Sequence, residues 1–218
     1  MAIVPDLMSP DEIKTGLGTE VLGREIISYT QTSSTNDVAL DLAAKGMQEG
    51  TLIIAESQTR GRGRMERNWV SPMGTSILAS LILRPSIAVH EAQSITLVAA
   101  AAVAQAIRKM TNLPALIKLP NDVIINGKKV SGILTEMRTE KGMISFLVVG
   151  IGVNVNIPRN QFPAEIIDTA TSLSIELGRN VSRISLLQEI LRQLEYGYMK
   201  LKERKPEGLM TEWEGFQA

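Results

Sequence analysis

The sequence contains no cysteine and a single histidine, His90. Without thiols there is no disulfide, no thiolate nucleophile and no cysteine-ligated zinc, and one imidazole cannot form a metal-binding cluster. Metal-hydrolase and cysteine-enzyme chemistries drop out, and no protein-held metal is expected. Net charge is a second absence: 23 basic side chains face 23 acidic ones. No overall field therefore draws the chain to nucleic acid or to an anionic membrane, and any anion it binds must be met locally. Long apolar runs are missing as well. The most apolar stretch, Ile95 to Ile107, is too short to span a bilayer and is rich in alanine, like a buried helix. Pro5 and Asp6 interrupt the place where an export signal needs an unbroken apolar region. A cytoplasmic protein with no membrane or nucleic-acid partner is expected. There are no repeats, low-complexity segments or proline-rich linkers. No GK[ST] P-loop occurs, and no helix pattern directly follows Gly150-Ile151-Gly152, so Rossmann and Walker nucleotide sites are disfavoured.

What is present suits one domain over residues 1–218: the chain is 44% hydrophobic and 21% charged, enough to bury a real core. Ser9-Pro10-Asp11-Glu12 has the form of a helix start, with the helix ending near Gly16 or Gly18. Ile26 to Tyr29 reads as a strand, and Ser33-Ser34-Thr35-Asn36-Asp37 caps a helix running to Gly46. That places Ser34 and Thr35 on a strand-to-helix corner. Thr51 to Ser57 and Thr75 to Leu83 read as strands around a glycine and arginine loop, 59–73, and Glu91 to Met110 as a helix. Strands are predicted at 115–119, 123–125, 129–137 and 143–150, with Asn126-Gly127 as a hairpin turn. A long helix opens at Arg183. Hairpins mixed with helix-separated strands predict an α+β fold, a mixed sheet flanked by helices.

Three segments could carry chemistry. In Gln58-Thr59-Arg60-Gly61-Arg62-Gly63-Arg64-Met65-Glu66-Arg67-Asn68-Trp69, glycines let backbone approach a ligand, guanidinium groups chelate phosphate or carboxylate, and the indole offers a flat face. Composition alone leaves open a solvated basic loop or an RNA contact. In Lys118-Leu119-Pro120-Asn121-Asp122 a lysine ends a strand beside a turn, where its ammonium could offset charge developing in nucleotidyl transfer; an exposed lysine at a plain turn would look the same. In Gly150-Ile151-Gly152-Val153-Asn154-Val155-Asn156 the asparagines could read a base edge, or simply form a turn.

Taken in order, SSTND, ESQTRGRGRMERNW, KLPNDV, KVSGILTEM and GIGVNVN resemble the biotin protein ligase family, from about Arg24 to Trp213. The resemblance implies a mixed sheet related to the catalytic domain of class II aminoacyl-tRNA synthetases. It implies formation of biotinyl-5′-adenylate from biotin and Mg-ATP, then transfer of biotin to a lysine of a biotin carboxyl carrier domain of an acetyl-CoA or pyruvate carboxylase. By the same resemblance Ser34, Thr35, Asn36, Gln58, Gly61, Arg62, Gly63, Arg64, Lys118 and Gly132 would bind biotin. Arg62, Arg64, Arg67, Trp69, Lys118, Asn121 and Asn154 would bind the adenylate, with Lys118, Arg64 and Arg67 catalytic and magnesium arriving with ATP. Two positions depart from the family pattern: Glu66 stands where glycine is usual, and Leu119 where tryptophan is usual. Glu66 puts a carboxylate among phosphate-binding arginines, able to weaken ATP binding or to pair with Arg67. The resemblance further implies a homodimer and a ligase-only form, without a preceding helix-turn-helix domain and without the C-terminal β-barrel of many members. Two rivals are a lipoate or octanoate transferase of the same fold and a biotin-binding sensor with little turnover.

Overall fold

The computed structural model describes residues 7–203, so Trp213, where the family resemblance ends, lies outside the described residues. Ser9 and Pro10 open α1 (Pro10–Lys14) as predicted, although the Ser9 side chain makes no cap bond. The strand predicted at 26–29 extends to β1 (Ile26–Thr32), and the hydroxyl-rich corner starts α2 (Thr35–Ala44) with Ser34 as N-cap. β2 (Leu52–Gln58) and β3 (Ser76–Leu83) flank the arginine loop. All eight residues of β3 are buried. A central strand covered on both faces has no solvent side to mark with polar residues. α3 (Ala92–Thr111) follows, then β4 (Leu116–Lys118), β5 (Asp122–Ile125), β6 (Lys128–Glu140) and β7 (Met143–Asn154). Asn126 and Gly127 both take positive φ, 50° and 77°, as the tight hairpin between β5 and β6 requires. α4 (Leu173–Leu177), too short to show a period, was not predicted; α5 (Arg183–Lys202) was.

The strands form one mixed sheet in the order β1-β2-β3-β7-β6-β5-β4. Only β1 and β2 are parallel, joined through α2; the remaining pairs are antiparallel. One face carries Ile54, Ala79, Leu81, Val149 and Ile151 into the main core with α3 and α5. Alanines 99–102 and 104 of α3 are buried there, small enough to let α3 lie close to its neighbours. On the opposite face α2 sets Ala39 and Ala43 against Ile53, Ile82, Phe146 and Val148 of β2, β3 and β7. Behind β2 the carboxylate of Glu56 meets Arg183 at 2.7 Å, both side chains buried, and accepts the Met8 N–H at 2.6 Å. Among the described residues no helix is long and apolar enough to cross a membrane.

Candidate functional site

Cross-strand register assembles the site. Lys118 on β4 pairs with Asp122 on β5, Asp122 with Gly132 on β6, Gly132 with Gly152 on β7, and Gly152 with Leu78 on β3. Residues paired across strands share a face, so these five form one row, on the face of the sheet that also carries α2. The two glycines leave a gap in that row, and the Trp69 indole rests in it. A Cβ on Gly152 would stand 2.7 Å from Trp69 Cε2, and one on Gly132 3.2 Å from Cζ3. Gly150, Gly152 and Asn154 thus lie on a strand rather than in a turn. Gly152, with Gly132 beside it, makes room for the ring.

The loop after β2 brings Trp69 there by folding back on itself. Trp69 N–H donates to the Gly61 carbonyl at 2.9 Å, Gly63 N–H to the Arg67 carbonyl at 2.6 Å, and Met65 sits in the left-handed region at φ 55°. Gly61 is required, because a Cβ there would lie 2.3 Å from Trp69 O. Thr59 and Arg60 N–H groups donate to the carbonyls of Thr32 and Ser33, fixing the loop's start to the β1–α2 corner. The side chain of Glu66, and with it the pairing suggested with Arg67, lies outside the described residues.

Trp69 separates two cavities. The smaller, about 30 Å³, is lined by Ser34, Thr35, Asn36, Gln58, Arg62 and Gly132 with the floor of β3 and β7. At that size it holds a water or two. Its polar groups are bonded to one another. Gln58 Oε1 accepts from Thr35 N–H at 2.7 Å and from Thr35 Oγ1 at 3.0 Å, while Ser80 Oγ bridges Thr35 Oγ1 at 2.8 Å and Asn36 Oδ1 at 2.6 Å. Asn36 Nδ2 donates to Glu136 at 2.8 Å, and the same carboxylate oxygen holds Arg62 at 2.8 Å, with Asp37 at 2.6 Å on the other side. The larger cavity, about 750 Å³, is lined by Arg64, Arg67, Lys118, Lys129 and Asn154, with Phe162 and Ile166 of the loop before α4 among its apolar residues. Arg64 is propped by Asn121 Oδ1 at 3.0 Å; Asn121 is itself tied to Ile133 through Nδ2 at 2.9 Å and through its backbone carbonyl at 2.8 Å.

The residues singled out from sequence therefore divide. Ser34, Thr35, Asn36, Gln58, Arg62 and Gly132 gather at the small cavity, with Gly61 behind Gln58; Gly63, Arg64, Arg67, Lys118, Asn121 and Asn154 gather at the large one, and Trp69 lines both. Arg62 was expected to touch both ligands, but its guanidinium turns to Asp37 and Glu136 and lines only the small cavity. Gly63, Arg64 and Lys118, grouped with the biotin set by sequence, lie at the large cavity. Asn121 spends its amide on Ile133 and Arg64, so it braces the arginine, while Asn154 donates through Nδ2 to the Thr171 carbonyl at 3.0 Å. Sequence reasoning missed Asp37 and Glu136, whose motif neighbours drew the attention, Ser80, which lies on an apolar strand outside any motif, and Lys129, whose place depends on register. Phe162 and Ile166 carry no motif that could have found them.

The profile of the Biotin/lipoate A/B protein ligase family matches residues 28–154, the span from β1 to the end of β7. The chain belongs to the biotin/lipoate A/B protein ligase family. Among relatives, a bifunctional ligase/repressor BirA of Bacillus subtilis is 45% identical over 194 residues, 89% of this chain and 60% of its own length. The chain thus spans three fifths of that protein. A biotin--[acetyl-CoA-carboxylase] ligase of Mycobacterium tuberculosis is 32% identical over 93% of this chain and 76% of its own length. The fold is that of a biotin protein ligase from Aquifex aeolicus solved in complex with biotin and ATP: TM-score 0.76, 31% identity, 89% of this chain and 78% of that one.

Proposed function

We propose that the chain is a biotin protein ligase, forming biotinyl-5′-adenylate from biotin and Mg-ATP and passing biotin to a lysine of a biotin carboxyl carrier domain. The observation that carries this reading is the joining of two unlike cavities at one indole ring. A small polar pocket that opens when the Arg62 clasp gives way suits an uncharged ureido bicycle, and a wide cavity lined by Arg64, Arg67 and Lys118 suits a triphosphate. The names of the relatives support it: they describe biotin ligases, and the Aquifex aeolicus protein was solved with both small molecules.

In this reading Ser34, Thr35, Asn36 and Gln58 hold the ureido ring after the Arg62 clasp gives way, and Gly61 and Gly132 keep the pocket walls thin. The biotin carboxylate then reaches past Trp69 and attacks the α-phosphorus, and pyrophosphate leaves. Lys118 offsets the charge that builds on the α-phosphate and attacking carboxylate. Arg64 and Arg67 meet the remaining phosphates, Gly63 lets the backbone approach them, and Trp69 and Asn154 hold the adenine. Closing the arginine loop shields the mixed anhydride from water. Magnesium enters with ATP. The same reading makes the chain a cytoplasmic, single-domain homodimer whose partner is the carboxylase carrier domain.

The test follows pyrophosphate release and carrier mass together. The native chain adds one biotin to the carrier, and Lys118→Ala slows both steps by about 10²–10³-fold. Biotin binding without pyrophosphate release would instead make the chain a sensor, and preference for lipoate would place it in the other branch of its family.

A further inference from the structure

The charged side chains that line the larger cavity are cationic but for one: Arg64 and Arg67 from the loop, Lys118 from β4 and Lys129 from β6. Such a lining suits phosphates, but it repels the second substrate of a ligase. A lysine side chain has a pKa near 10.4, so at pH 7 it arrives as an ammonium, which has no lone pair to attack with. The cavity must therefore attract a cation and take a proton from it. Among the described residues that line the cavity, one carboxylate can do so, Asp122.

Its placement fits the task. Asp122 pairs in register with Lys118 on one side and with Gly132, beneath Trp69, on the other. It thus stands in the row between the cation assigned to the α-phosphate and the junction of the two cavities, where an acyl phosphate would lie. Asp122 Oδ1 lies 2.6 Å from Lys129 Nζ, a charge contact; that oxygen is buried and accepts no well-directed hydrogen bond among the described residues. The Lys129 ammonium is also 5.7 Å from the Trp69 ring centroid and is partly exposed to the cavity. A mobile ammonium between a carboxylate and a phosphate site can move from one to the other, because phosphate carries more charge.

We infer that Asp122 receives the acceptor lysine: phosphate draws Lys129 away, and the freed carboxylate binds the incoming ammonium and takes its proton. The inference rests on the ligase reading above. An N–H bond of the ammonium breaks and an O–H bond forms on Asp122. The freed lone pair forms the N–C bond to the acyl carbon, and the C–O bond to phosphate breaks with its electron pair leaving on AMP. The second amine proton goes to the departing phosphate oxygen, and Asp122 returns its proton to solvent. Before the nucleotide arrives Lys129 occupies the carboxylate, so the acceptor is admitted only once there is an acyl phosphate to attack.

The two half-reactions are measured separately in Asp122→Asn, with preformed biotinyl-adenylate supplied to the native and variant proteins. Transfer to the carrier at pH 7 is expected to fall about 10²-fold or more, far more than adenylate formation, and to climb about tenfold per pH unit toward the acceptor's own pKa. Discharge of the same adenylate by hydroxylamine, already neutral at pH 7, should change little, and Asp122→Glu should recover part of the carrier rate. Equal loss with carrier and hydroxylamine would make Asp122 a scaffold for the nucleotide cations, and an undiminished carrier rate would remove it from the reaction; either overturns the inference. A native chain that makes no adenylate from biotin and ATP would instead bring down the ligase reading itself.

Discussion

At Gly150 a side chain would have nowhere to go. A Cβ there would lie 2.3 Å from Asn36 Oδ1, the atom that Ser80 Oγ meets at 2.6 Å, while Asn36 Nδ2 is held by Glu136. Asn36 is 4% exposed and cannot swing outward. Gly150→Ala must therefore displace the asparagine and break a buried network whose members satisfy one another. Biotin affinity measured by calorimetry should fall tenfold or more, about 1.4 kcal/mol, with a smaller change in ATP affinity, since the large cavity lies beyond Trp69. At Gly152→Ala the obstructed atoms belong to Trp69 instead, so affinities for both ligands should drop together. These residues were legible as a motif but not as a mechanism. Nothing local in GIGVN says that Gly152 leaves room for an indole about eighty positions earlier, because that depends on the pairing of β6 with β7.

Between elements, the contact that most constrains the site is the buried pair behind it. Arg183 opens α5 and Glu56 stands two residues before Gln58 on β2; the guanidinium also donates to the Ser76 carbonyl at 3.2 Å at the start of β3. One ion pair thus fastens a helix start to the strands on both sides of the arginine loop. Arg183→Met would leave Glu56 charged and buried without its partner, and chemical denaturation should show a loss of about 3–5 kcal/mol. Adding Glu56→Gln to that variant should recover much of the loss, which separates an uncompensated charge from simple loss of packing. Element prediction succeeded where a period or a turn signature is long enough to read, as in α3, α5 and the Asn126-Gly127 hairpin. It faltered where tertiary pairing overrides local preference: β7 runs on to Asn154 through residues that in isolation favour turns. Strand order was not legible at all, and it is strand order that puts Lys118, Asp122, Gly132 and Gly152 in one row.

Across the whole molecule α5 acts as a strap. Gln188 and Arg192 donate to backbone carbonyls between Glu12 and Leu17, and Glu195 accepts the N–H groups of Glu20, Val21 and Leu22. Further along, Tyr198 and Lys202 donate to Glu49. Burial alone would raise the Glu49 carboxyl, but hydrogen bonds from Tyr198, Lys202 and the Arg84 N–H outweigh it and hold the group below its usual range. Glu189 is lowered likewise: burial opposes, and Lys109, Gln193 and Arg192 prevail. A carboxyl depressed in the folded state contributes stability that is present above its unfolded pKa and is lost as pH falls through the folded value. Stability to urea should therefore hold through neutral pH and decline below about pH 4. Glu49→Gln should lower the neutral plateau and shallow that acid decline.

The indole set on the two glycines has an optical consequence. Tryptophan occurs twice in the chain, at Trp69 and Trp213, so Trp213→Phe leaves a single emitter in the wall between the two cavities. The Trp69 Nε1 atom is buried and meets no hydrogen-bond partner among the described residues, and its ring has the Lys129 ammonium nearby. A ligand entering from one side alters the ring's packing; one entering from the other alters the charge beside it. The protein thus carries its own two-channel fluorophore, in which filling of each chamber is readable by a different change in the same emission band, without a label attached to either substrate.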